Sequence, residues 1–170
     1  QMIYKDGASY RIFRYVPSFL LFGVGNDKQT FRDSSDVYVR VNIRLNQPST
    51  AWVAARTTKS VGGGALDGYR MSLTRNSDGS YSVKASGISP TGQEVIYYNG
   101  PLPVSADNAT PTWIPLLIVT YQNRVAFFAN NRFVNAQENI TILGGTVALG
   151  VESGTTADFN FFQLRDVSPD

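Results

Sequence analysis

A chain of 170 residues with a formal charge of +2 has the length for one two-layer core, and no second domain need be invoked. It has no cysteine and no histidine, which excludes disulfide scaffolding, thiol and Ser-His nucleophiles, and histidine-bound zinc or copper. So mild a positive balance does not imply a nucleic-acid partner, and the longest apolar stretch, residues 16–24, is broken by Pro17 and Ser18 and too short to insert in a membrane.

In chain order, residues 10–15 follow the turn-forming run Lys5-Asp6-Gly7-Ala8 and predict an early strand, with another over 19–24. The plainest strand is 36–45. Val37, Val39, Val41, Ile43 and Leu45 fall on one side of it, and Tyr38, Arg40, Asn42 and Arg44 on the other. One dry face and one wet face mark an antiparallel sheet. The same alternation at 51–56 turns Ala51, Val53 and Ala55 inward and Trp52 and Arg56 outward. At 69–75 it turns Arg70 outward, and at 81–87 Lys84, with a tight-turn signal at Asn76-Ser77-Asp78-Gly79 between the two. These four strands are expected to form one meander.

Residues 94–98 predict a short strand, and 113–121 are apolar almost throughout, which predicts a central strand covered on both faces whose ladder begins at Leu116, after Pro115. Corners at Gln122-Asn123 and Asn130-Asn131 separate strands over 124–129 and 132–135. Two dense runs, 146–152 and 157–167, joined by Ser153-Gly154-Thr155-Thr156, predict a hairpin that the rest of the chain must cover. Nowhere do apolar residues keep a helical period, so the fold class is all-β: an antiparallel two-sheet β-sandwich or jelly roll. Residues 1–170 are expected to be one domain, and the polar end Ser168-Pro169-Asp170 reads as a stub of a longer protein.

The run Arg-Val-Ala-Phe-Phe-Ala-Asn-Asn-Arg from Arg124, then Gly-Gly-Thr-Val-Ala-Leu-Gly-Val from Gly144, then Ala-Asp-Phe-Asn-Phe-Phe-Gln-Leu from Ala157, resembles the closing half of concanavalin A-like lectin/glucanase domains and their laminin G-like relatives. Segments 36–56 and 69–84 extend the resemblance to about two thirds of the chain. Arg132 stands where that family commonly has glycine, and Asn160-Phe161 where it has Asp-Asn. The resemblance implies two antiparallel sheets, one concave, with carbohydrate or protein ligands on the concave face or the rim loops. Its enzymatic branch carries Glu-x-Asp-x-x-Glu on one strand, and that motif is absent. The three glutamates, Glu94, Glu138 and Glu152, lie more than five residues from any other acid, so no local carboxyl pair is set for glycoside hydrolysis.

If the four strands are neighbours, their outer face carries Tyr38, Arg40, Asn42, Arg44, Trp52, Arg56, Arg70 and Lys84, and no carboxylate. Such a face could stack a sugar ring on an aromatic side chain while arginines grip hydroxyl, carboxylate or sulfate groups; the plain alternative is a solvated sheet surface with Trp52 partly covered by a loop. Gly62-Gly63-Gly64 lacks the order of a phosphate loop and reads as a rim loop. No cofactor is expected beyond a structural calcium ion, for which Asp158 and Asp27 are the candidates. The reading is therefore a non-catalytic module with no catalytic residues, on an extracellular or cell-surface protein, whose expected partner is a glycan, neutral or anionic. The alternatives are a protein-interaction or structural ectodomain and a divergent glycoside hydrolase using Glu94 or Glu152.

Overall fold

The computed structural model describes residues 2–6, 9–14, 18–22, 36–58, 66–104, 107, 110–152 and 155–167. Among them every regular element is a strand: β1 (Met2–Asp6), β2 (Ser9–Arg14), β3 (Ser18–Phe22), β4 (Val37–Arg44), β5 (Ser49–Thr57), β6 (Gly68–Arg75), β7 (Tyr81–Ile88), β8 (Glu94–Pro101), β9 (Ile114–Tyr121), β10 (Arg124–Ala129), β11 (Arg132–Glu138), β12 (Thr146–Val151) and β13 (Thr155–Asp166). A seven-stranded sheet has the order β1-β2-β13-β4-β9-β10-β11, and a six-stranded sheet the order β3-β12-β5-β6-β7-β8. Every ladder is antiparallel.

The alternation read from the sequence builds the seam between the layers. Val39, Ile118 and Phe127 from the seven-stranded sheet and Val53, Met71 and Val83 from the six-stranded sheet belong to one buried cluster, each at most 1% exposed. Burying an aliphatic side chain of this size is worth about 1.5–3 kcal/mol, so each strand's parity is strongly held. The turns behave as their residues require. Asn130 and Asn131 take φ of 53° and 60°, and Gly79 takes φ of 85° in the turn closed by Asn76 N to Ser80 O at 2.8 Å.

Which layer a strand joins differs from expectation at two places. The segments 146–152 and 157–167 do not form a hairpin: β12 pairs with β3 and β5, whereas β13 pairs with β2 and β4 in the other sheet. Nor does β4 open the meander, which runs through β5, β6, β7 and β8; β4 lies between β13 and β9. Turn residues reverse the chain but do not choose its hydrogen-bonding partner, and crossing gives β12 and β13 two neighbours each. Smaller differences have local causes. The segment 2–6, not expected as a strand, pairs with β2 from Met2 opposite Phe13 to Asp6 opposite Ser9. The β9 ladder starts at Ile114, not Leu116, because proline lacks only the donor and Pro115 O still accepts from Asn130 N at 2.8 Å. The strand is central as expected, yet outward-facing Leu117 and Val119 are only half-buried.

Arg56 is the other correction. It takes φ of 53°, the parity of β5 breaks there, and its side chain is wholly buried instead of facing outward. Its Nη1 donates to Ile142 O at 3.0 Å and its Nη2 meets Asp36 Oδ1 at 3.2 Å, while Gln122 N donates to the same oxygen at 2.6 Å. Burial pushes the guanidinium pKa down, against the charges of Asp36 and Tyr69. Gly68 permits this approach: at φ 106°, a Cβ would lie 2.6 Å from Ala55 O. One ion pair thus ties the start of β4, the end of β5 and the segment before β12. Asp36→Ala takes a carboxylate away from the buried cation and is expected to lower the unfolding free energy by about 3–5 kcal/mol in urea titration; a loss below ~1 kcal/mol would refute that role.

Candidate functional site

The eight residues singled out in the sequence occupy three places. Tyr38, Arg40, Asn42 and Arg44 lie on the outer face of the seven-stranded sheet; Trp52, Arg70 and Lys84 lie on the outer face of the six-stranded sheet; Arg56 lies inside. The expected single face is therefore two faces on opposite sides of the sandwich, because β4 belongs to the other layer.

On the six-stranded side, Trp52 is only 5% exposed and packs with Ala54, Leu66 and Ala148. The Arg70 guanidinium lies 4.2 Å over the indole and donates to Leu66 O at 3.4 Å. A sugar ring has no open indole face to stack on. Burial pushes the Arg70 pKa down, opposed by the charges of Glu152 and Glu94. Nor is this side free of carboxylates, since Glu94 Oε1 meets Lys84 Nζ at 2.9 Å. Burial pushes the Glu94 carboxyl up, but the hydrogen bond from Lys84 and the charges of Lys84 and Arg70 outweigh it and leave the group below its ordinary value.

The seven-stranded side is built differently. Its ladders align Gln163 of β13, Arg40 of β4, Leu117 of β9, Phe128 of β10 and Phe133 of β11 in one row across five strands. At strand spacings of about 4.8 Å that row spans ~19 Å. Beside it Asn160 lies opposite Asn42, and beyond them Asp158 lies opposite Arg44. Phe128 and Phe133 meet edge to face at 5.8 Å, and the Phe133 side chain is 62% exposed.

A bulge in β13 assembles this surface. Between Asn160 and Gln163 the strand holds one residue more than β4, and Phe161 takes φ of 51°. A bulky side chain at positive φ is strained, and strain of this kind collects at functional sites. The extra residue leaves Phe162 packed on the core and Phe161 exposed, with Arg40 5.9 Å from its ring centroid. The signal was present: the apolar positions are odd at Ala157 and Phe159 but even at Phe162 and Leu164. Reading 157–167 as an unbroken strand missed Phe161, Asn160 and Gln163, and the strands over 124–129 and 132–135 were given no outward side, which left out Phe128 and Phe133.

Polar groups here are unevenly committed. Arg44 Nε and Nη2 both donate to Asp158 Oδ2, at 3.1 and 2.7 Å, and the guanidinium lies 4.5 Å over Trp113. Asp158, a calcium candidate, is thus committed to a cation; Asp27 lies outside the described residues, and among these no group of three acidic side chains could hold a metal ion. By contrast, Arg40 Nε, Asn42 Oδ1 and Asn160 Oδ1 are covered and make no hydrogen bond. Each such atom costs about 1–3 kcal/mol.

Among the described residues thirteen strands in two antiparallel layers, with chain crossings between them, form the jelly-roll sandwich fold that the sequence resemblance implied. No family model matches the sequence, and neither does any curated protein. Among solved structures, the carbohydrate binding module CBM66 from Bacillus subtilis is similar over 97% of this chain and 91% of its own at 14% identity, with a TM-score of 0.71. A legume lectin-like domain from Entamoeba histolytica is similar over 98% and 87% at 11% identity, with a TM-score of 0.63. A β-1,3-1,4-glucanase (lichenase) from a mouse hindgut metagenome is similar over 97% and 83% at 11% identity, with a TM-score of 0.58. At these identities the likeness is one of fold, and the fold is shared by binding modules and hydrolases.

Two outcomes follow for the six-stranded side. Trp52→Ala opens a cavity and is expected to cost about 3–5 kcal/mol in denaturant titration, as a core residue does. Because the folded pKa of Glu94 is depressed, its contribution to stability is present above the unfolded value of about 4.5 and is lost as pH falls through the folded value. Stabilities of wild type and Glu94→Gln, measured from pH 7 to 3, should converge toward the acid end.

Proposed function

We propose that the domain is a non-catalytic carbohydrate-binding module whose ligand lies across the outer face of the seven-stranded sheet. The observation that carries this is the row from Gln163 to Phe133 and its flank, where the exposed rings of Phe161 and Phe133 stand beside Arg40 Nε and the Asn42 and Asn160 oxygens, which make no hydrogen bond. Sugars present apolar C–H faces and a rim of hydroxyls, and aromatic rings beside amides and arginines match both. A hydroxyl inserted among these side chains would relieve the unsatisfied oxygens of Asn42 and Asn160.

Binding is favoured over hydrolysis by the state of the acids. A glycosidase needs one carboxyl kept protonated and a second carboxylate across the scissile bond. Glu94 is held in its charged form beside Lys84, and Asp158 is bound to Arg44. The neighbouring carbohydrate binding module and lectin-like domain support the same reading, and an extracellular or cell-surface setting, where polysaccharides are met, belongs to the proposal. One observation favours the protein-interaction alternative: β8, an edge strand, exposes Val95 and Ile96.

The test is calorimetric titration with a panel of neutral and acidic oligosaccharides. Asn42→Ala and Phe133→Ala should each weaken binding about tenfold, ~1.4 kcal/mol, while Lys84→Ala on the opposite layer changes nothing. Loss of binding in Lys84→Ala, with Asn42→Ala unaffected, would place the ligand elsewhere and end the proposal.

A further inference from the structure

We infer that the sugar taken by this face is acidic, and that Arg40 and Arg165 together hold its carboxylate or sulfate; the inference rests on the glycan-binding reading. The argument is one of charge. Arg44 is neutralised by Asp158 at 2.7 Å and covers Trp113. Among the described residues Arg40 has no carboxylate partner. Its one hydrogen bond goes to the side-chain oxygen of Asn131 at 3.4 Å, near the limit for such a bond, and its Nε has no acceptor.

Among the described residues Arg165 likewise has no carboxylate partner. It pairs across the ladder with Tyr38, two places along from the Gln163–Arg40 pair, and its side chain is exposed. Leu164 packs against the core, so Arg165 points to the outer face. Arg40 and Arg165 are therefore diagonal neighbours across β4 and β13, with Cβ atoms about 7 Å apart. Two acids on this sheet's strands go to other arginines: Asp158 to Arg44, and Glu138 to Arg124 at 3.3 Å.

Arginine side chains rooted this close on one face are long enough to bring both guanidinium groups onto one oxyanion between them. Each offers planar paired donors, and a carboxylate or sulfate accepts from both sides. A neutral sugar brings no charge to these two cations, whereas a uronic acid or sulfate ester brings one. Phe161, whose ring is 5.9 Å from the Arg40 guanidinium carbon, then offers an apolar surface beside the anion site for the ring that bears the charge.

The experiment compares three probes of similar length, an oligogalacturonate, a sulfated galactan oligosaccharide and a neutral galactan oligosaccharide, at low and moderate salt. The proteins are the intact wild type, Arg40→Gln, Arg165→Gln, and Lys84→Gln as a charge-matched control on the other layer, with thermal melts confirming that each folds. At least one acidic probe should bind the wild type about tenfold or more tightly than the neutral one and weaken as salt rises. Arg40→Gln and Arg165→Gln should each erase most of that advantage, weakening the acidic probe far more than the neutral one, whereas Lys84→Gln keeps it. The stronger acidic probe tells carboxylate from sulfate. Equal binding of neutral and acidic probes, or equal losses in Lys84→Gln and Arg40→Gln, overturns the acid inference while leaving a glycan face in place. No binding by any probe removes the glycan reading itself.

Discussion

The dry seam between the two sheets is the constraint on which everything else depends. Val39 and Ile118 on one side and Val53 and Met71 on the other are shut off from water, and each fixes the direction of its neighbours along the strand. Because the side-chain period of a strand is two, shutting Val39 and Val41 inside forces Arg40 and Asn42 outward. The outer faces are thus a consequence of core packing, and their chemistry is available to function because the core leaves no alternative.

Departures from strict alternation are where the molecule becomes specific. At Arg56 the parity of β5 breaks and sends a guanidinium inward, where it is tolerable only because Asp36 and the Ile142 carbonyl receive it. At Phe161 the parity of β13 breaks the other way and sends an aromatic ring outward. The first irregularity ties the end of the sandwich together; the second re-aims side chains on an open face. Both sit at non-glycine residues with positive φ, a conformation that persists only when the surroundings hold it in place.

The two outer faces have opposite characters. On the six-stranded side the charges are spent internally, Lys84 on Glu94 and Arg70 over Trp52, and the surface is closed. On the seven-stranded side Arg44 is spent on Asp158, but Arg40 and the Asn42 and Asn160 oxygens are not matched, and rings stand exposed beside them. An unmatched polar group on a rigid sheet is costly to the free protein and useful to a bound one, which is the general logic of a preorganised binding surface.

Much of this was legible from the order of residues alone. The alternation at 36–45, 51–56, 69–75 and 81–87 specified strands, their inward and outward sides and hence the all-β class, because parity is a local property of each segment. The position of Tyr38, Arg40, Asn42 and Arg44 on one open face was legible for the same reason. That Trp52 and Arg70 lie on the far side of the molecule was not, nor that 146–152 and 157–167 part into different layers. Strand pairing is made by backbone hydrogen bonds that are chemically alike in every segment, so the choice of partner is settled only when all the strands compete for one core. The open face assembled by β13, β4, β9, β10 and β11 was therefore a decision of the tertiary structure.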